Sequence, residues 1–74
     1  MVNLTYEPLG DGKYRVTLDS DPTTMTAGRI YDDDFAPYSV GRFAKSLTGM
    51  CMDELQREGV TLRGLDGEVV GEYP

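Results

Sequence analysis

The spacing of apolar residues changes along the 74-residue chain, and this change constrains its secondary structure more than any other feature. In residues 2–18, apolar and polar residues alternate on both sides of the segment Gly10-Asp11-Gly12. A period of two predicts β-strands with one buried face, and glycines supply the positive φ angles of a tight turn. The first segment is therefore predicted to be a β-hairpin.

From residue 39 to residue 58, the apolar residues follow the period of an amphipathic helix. Ser39 is a suitable N-cap, and Gly59 is a suitable residue just beyond the C-terminus. We therefore predict one continuous helix with Gly49 inside it, next to the apolar face. The predicted apolar positions are Val40, Phe43, Ala44, Leu47, Met50, Cys51 and Leu55. On this face, Cys51 is expected to be buried as a small hydrophobic residue.

The last segment, residues 60–73, resumes the alternating pattern around Gly64-Leu65-Asp66-Gly67 and predicts a second hairpin. Either Val69 with Tyr73, or Val70, is expected to face inward. Residues 25–31 either add a fifth short strand or cross the fold. The predicted fold class is a small two-layer α+β domain, ββ(β)αββ, in which an antiparallel sheet of two β-hairpins carries one amphipathic helix across one face.

The charge and the cysteine content exclude several functional classes. The chain has 13 Asp and Glu, 7 Lys and Arg, no His, one Cys and a formal net charge of −6. Affinity for nucleic acids and anionic membranes comes mainly from Lys and Arg, so direct binding to either is not expected. Without His, and with one Cys, neither the commonest catalytic base nor a structural zinc site is available. We expect a non-enzymatic protein without cofactor or metal.

The hydropathy and the N-terminal segment bear on where the protein acts. No apolar run approaches the length needed to cross a bilayer, and no basic-then-apolar leader follows Met1. The expectation is one small acidic domain over residues 1–74, located in the cytoplasm.

Acidic residues are concentrated between residues 19 and 34, where Arg29 is the only basic residue. Capping of the following turn, solubility and salt adaptation explain part of this excess. The functional interpretation is a negative surface that docks on a basic surface of a partner protein. Its candidate partner-binding residues are Asp19, Asp21, Asp32, Asp33, Asp34, Glu68 and Glu72.

In size and charge, without a shared motif, the chain resembles small acidic phage-encoded inhibitors of host defence, which include anti-CRISPR proteins. This resemblance implies an inhibitor that occupies the nucleic-acid-binding site of a partner protein or complex. The alternative is a small housekeeping or regulatory homodimer whose acidity reflects only solubility or salt adaptation. In that homodimer, an edge strand such as residues 2–7 would pair with its twin.

Overall fold

The computed structural model describes residues 1–28 and 31–74, except for the side chain of Asp32. Arg29 and Ile30 lie outside the described residues, and with them the end of the segment 25–31. The strands of the described chain are Val2–Gly10 (β1), Lys13–Leu18 (β2), Thr24–Ala27 (β3), Val60–Arg63 (β4) and Val69–Tyr73 (β5). A 3-10 helix, Asp32–Phe35, precedes two α-helices, Pro37–Thr48 (α1) and Met52–Glu58 (α2). The α+β class and both hairpins are confirmed.

The sheet is mixed, which corrects the expectation of a purely antiparallel sheet. Its strand order is β3-β2-β1-β4-β5, and β1 and β4 run parallel, with Val2 opposite Val60. The reason is the crossover: the helices return the chain to the end of the sheet where β1 begins. There, the Val2 amide donates a hydrogen bond to the Gly59 carbonyl at 2.9 Å.

The central position of β1 also corrects the predicted dimer contact. Because β1 lies between β2 and β4, residues 2–7 are not an edge strand and cannot pair with a twin. The two edges of the sheet belong to β3 and β5.

The predicted single helix is wrong, because the chain forms two helices separated at Gly49. Gly49 has φ 75° and its amide donates to the Lys45 carbonyl, so it ends α1 in the left-handed conformation. The start of α1 also differs from the prediction: Ala36 is the N-cap and Pro37 the first helical residue, which places Ser39 inside the helix.

The break at Gly49 also changes the environment of Cys51. Cys51 is the N-cap of α2 and is exposed, with its Sγ 3.3 Å from Glu54 Oε1. A continuous helix would have placed Cys51 on the buried face, so the prediction of a buried cysteine is wrong for the same reason.

The core lies between one face of the sheet and the two helices. The alternation predicted for β1 and β2 is confirmed, since every second side chain there faces the helices. In β5, Tyr73 packs against the core, but Val69 and Val70 are exposed, next to a shift in the β4–β5 register. The buried residues are Leu4, Tyr14, Val16, Leu18, Val40, Ala44, Leu47, Leu55, Val60 and Leu62.

Two glycines let α1 approach β5 closely. A Cβ at Gly71 would lie 2.6 Å from the Phe35 carbonyl oxygen and 2.7 Å from Val40 Cγ2. A Cβ at Gly41 would lie 2.9 Å from Tyr73 Cγ. Since real side chains do not approach so closely, the helix and the strand can pack at this distance only without these Cβ atoms. The close contact between α1 and β5 is therefore made at Gly41 and Gly71.

The substitution Gly71→Ala should lower the free energy of unfolding by ~1–3 kcal/mol, because the backbone of Phe35 cannot move aside without disturbing the start of α1. Gly28→Ala is the matched control, since a Cβ at Gly28 meets no atom within 4 Å and its cost should stay within ~0.5 kcal/mol. Urea unfolding of both variants tests this, and equal effects would contradict the close packing.

Candidate functional site

The face of the sheet opposite the helices carries polar side chains that form hydrogen bonds with one another. Arg63 Nη1 donates to Asn3 Oδ1 at 2.9 Å, and Thr5 Oγ1 donates to Asp19 Oδ1 at 2.7 Å. No helix of the described chain covers this face. We refer to it as the open face. Its hydrogen bonds hold the polar groups in defined positions.

Three of the predicted partner-binding residues lie at one end of the sheet. Asp19 follows β2, and its amide donates to the Asn3 carbonyl at 2.9 Å. Asn3 is opposite Thr61, and Thr61 is opposite Glu72. Asp19 and Glu72 are thus at the two ends of one cross-strand row, three strand spacings or about 14 Å apart. Asp21 belongs to the same turn as Asp19.

Glu58 reaches the same end, although the sequence analysis did not select it. It is the last residue of α2, one residue before the Gly59 carbonyl that accepts the Val2 amide. Its Oε2 accepts a hydrogen bond from the protonated amino group of Met1 at 3.4 Å, and the two groups form an ion pair, so the charge of Glu58 is partly balanced, unlike those of Asp19, Asp21 and Glu72. No local pattern marks Glu58, because only the parallel pairing of β1 with β4 brings the start of β4, and with it Glu58, to the end of the sheet where Asp19 follows β2. We call Asp19, Asp21, Glu58 and Glu72, all exposed, the acidic end.

The carboxylates of Asp19 and Asp21 are held by neutral donors. Asp19 accepts the Thr5 hydroxyl, and Asp21 Oδ1 accepts both the Thr23 amide at 3.2 Å and the Thr23 hydroxyl at 2.9 Å. In the described part of the chain, neither these carboxylates nor that of Glu72 forms an ion pair with Lys or Arg. Hydroxyl and amide donors orient a carboxylate and leave its full charge in place.

The other predicted acids lie elsewhere. Asp33 is exposed in the 3-10 helix. This helix follows the C-terminal end of β3, where Ala27 pairs with Tyr14, whereas Asp19 is near the N-terminal end of β3, where Thr24 pairs with Thr17. Glu68 is in the β4–β5 turn, and Glu58 precedes the opposite end of β4. The side chain of Asp32 lies outside the described residues. The structure therefore separates Asp33 and Glu68 from the acidic end.

Asp34 has a structural role. Its Oδ2 accepts the Tyr14 hydroxyl at 2.9 Å and the Tyr31 amide at 3.0 Å. Tyr14 is 1% exposed, and its ring lies edge-on to those of Tyr6 and Phe35. Burial first, and then the hydrogen bond to Asp34, raise the pKa of Tyr14 above its ordinary value of about 10. The Asp34 carboxylate thus joins the start of β2 to the 3-10 helix.

Among the described residues we find neither a metal site nor a ligand-binding cavity. No three metal-ligating side chains converge there, and no ligand-sized cavity opens among them. None of the helices described is long and apolar enough to cross a membrane. Comparison with known proteins finds no matching family model, curated protein or solved structure. The acidic end is therefore argued from its own geometry and charge.

Replacing Asp34 with Ala should lower the free energy of unfolding by ~1–3 kcal/mol, because the buried Tyr14 hydroxyl loses its acceptor. Asp33→Ala removes an exposed carboxylate one residue away and should cost no more than ~0.5 kcal/mol. Urea unfolding compares the two, and a similar loss in both variants would rule out the structural role of Asp34.

The raised pKa of Tyr14 predicts a loss of stability in alkali. In the unfolded chain Tyr14 loses its proton near pH 10, whereas the folded chain still holds it, so the free energy of unfolding falls as the pH rises above about 10. Thermal unfolding measured between about pH 8 and 11 should show that the melting temperature falls less with rising pH in Tyr14→Phe than in the wild type. Tyr38→Phe, at an exposed tyrosine, should keep the full wild-type fall; an unchanged fall in Tyr14→Phe would contradict the assignment.

Proposed function

We propose that this chain is a non-enzymatic protein-binding module whose acidic end docks on a basic surface of a partner protein. One observation carries the proposal: Asp19, Asp21 and Glu72 are exposed at one end of the sheet, without ion pairs to any described Lys or Arg. Negative charge held in this way speeds association with a basic surface.

The positions of the carboxylates support binding rather than solubility alone. Thr5 orients Asp19, and Thr23 orients Asp21, so these two groups lose little conformational freedom when a cation approaches. A carboxylate that serves only solubility needs no such orientation.

The spacing of the acidic end indicates what kind of basic surface it fits. Asp19 and Glu72 are about 14 Å apart across the strands, whereas one DNA strand carries a phosphate for every ~3.4 Å of helix axis. The matching surface therefore carries a few cations distributed over this distance, as a nucleic-acid-binding protein offers along part of its channel. Occupation of such a channel is the action of the phage-encoded inhibitors that the chain resembles in size and charge.

The test is a triple variant, Asp19→Asn, Asp21→Asn and Glu72→Gln, bound to a fluorescent oligolysine peptide. Asn and Gln keep an acceptor oxygen, so the hydrogen bonds from Thr5 and Thr23 survive while three charges are lost. We expect about tenfold weaker binding at low salt, and a wild-type affinity that falls steeply as salt is added.

The matched control removes three charges elsewhere, by Asp33→Asn, Asp66→Asn and Glu68→Gln. It has the same net charge as the first variant, so net charge alone would weaken both equally. Equal weakening would refute the acidic end as the docking surface. A partner captured from host lysate by the wild type should likewise be lost by the first variant and retained by the control.

A further inference from the structure

Met1 lies on the acidic end and is held there by three contacts. Its protonated amino group donates to Glu58 Oε2 at 3.4 Å, and the two groups form an ion pair. The Val2 amide donates at 2.9 Å to the carbonyl of Gly59, the residue that follows Glu58. The Met1 Sδ accepts the Thr61 hydroxyl at 3.5 Å. Both the amino group and the side chain of Met1 are therefore placed by neighbouring residues.

The side chain of Met1 lies over the cross-strand row that joins Asp19 to Glu72. Thr61 belongs to this row, opposite Asn3 on one side and opposite Glu72 on the other. Thr61 is only 6% exposed, and in the described chain its hydroxyl donates only to the Met1 thioether. Because a thioether is a weak acceptor, the side chain of Met1 can leave this position at little cost. Met1 thus covers part of the surface that a partner would contact.

The amino group of Met1 also neutralises part of that surface. Among the described residues, its contact with Glu58 is the only ion pair formed by the acidic end. The side chains of the two residues are 60% and 57% exposed, so water screens the pair and an ammonium from another molecule can replace it. An amide at the same nitrogen carries no charge and would leave the Glu58 carboxylate without this cation.

We propose that Met1 is an internal occupant of the acidic end, which a lysine of the basic partner displaces, so that the charge at the Met1 nitrogen controls the affinity. This inference rests on the proposed function, because it concerns the same surface. Loss of the ammonium restores the full charge of Glu58 and removes a competitor for its carboxylate. Glu58 already binds a primary ammonium, and lysine presents the same group on a flexible side chain.

The experiment compares the full chain with a free and with an acetylated Met1 amino group, both made by ligating segments 1–50 and 51–74 at Cys51. We expect the acetylated protein to bind the fluorescent oligolysine peptide about threefold more tightly at low salt, and the difference to disappear as salt is added. Lys13→Gln is the matched control, because it also removes one positive charge, at the opposite end of the sheet. Its affinity should stay within about 1.5-fold of the wild type.

A second variant tests the ion pair itself. In Glu58→Gln the amino group of Met1 has no carboxylate to neutralise, so acetylation should raise the affinity by less than about 1.5-fold. If acetylation produced the same gain with and without Glu58, or if Lys13→Gln produced that gain as well, the proposal would be wrong.

NMR of the protein labelled at its methionine methyl groups follows the displacement directly. The free protein should show a nuclear Overhauser contact between the Met1 methyl group and Thr61, because the two side chains are in contact. A saturating amount of oligolysine should abolish this contact. Its persistence at saturation would show that the peptide binds without displacing Met1, which would overturn the proposal.

The outcomes separate this inference from the proposed function. If acetylation leaves the affinity unchanged while the triple variant of Asp19, Asp21 and Glu72 binds weakly, the inference about Met1 is wrong and the acidic end remains the docking surface. If the triple variant binds as tightly as the wild type, both the inference and the proposed function are wrong.

Discussion

The parallel pairing of β1 with β4 is the constraint on which the other features depend. It places β1 at the centre of the sheet and leaves β5 as an edge. It also brings Glu58 and Glu72, distant in sequence, to the end where Asp19 follows β2. The pairing requires a crossover over one face, and the absence of side chains at Gly41 and Gly71 lets α1 lie close to β5 along that path.

The acidic residues of this chain have two different roles. Asp34 accepts a hydrogen bond from the buried Tyr14 hydroxyl and belongs to the packing of the fold. Asp19 and Asp21 are also hydrogen-bonded, but by Thr5 and by Thr23, and they stay exposed. A carboxylate turned towards the core stabilises the structure, whereas one oriented at the surface keeps its charge available to another molecule.

The charged residues are distributed unevenly along the chain and over its surface. Asp19, Asp21 and Glu72 form no ion pair with a described Lys or Arg, while α1 contains Arg42 and Lys45 and no Asp or Glu. Since interactions between exposed charges are screened beyond ~8–10 Å, a partner responds to the local arrangement more than to the total of −6.

Local patterns in the sequence determined the two hairpins, the inward alternation of β1 and β2, and an amphipathic helical segment, because each depends on neighbouring residues. Tertiary structure alone decided the parallel β1–β4 contact and the exposure of Val69 and Val70. It also determined that Gly49 ends a helix, because a glycine there is compatible with either a continuous or a broken helix until packing selects one. Likewise, composition could identify an acidic segment around Asp19 but not the position of Glu72 at the same end of the sheet, because strand pairing between distant residues determines which charges share a surface.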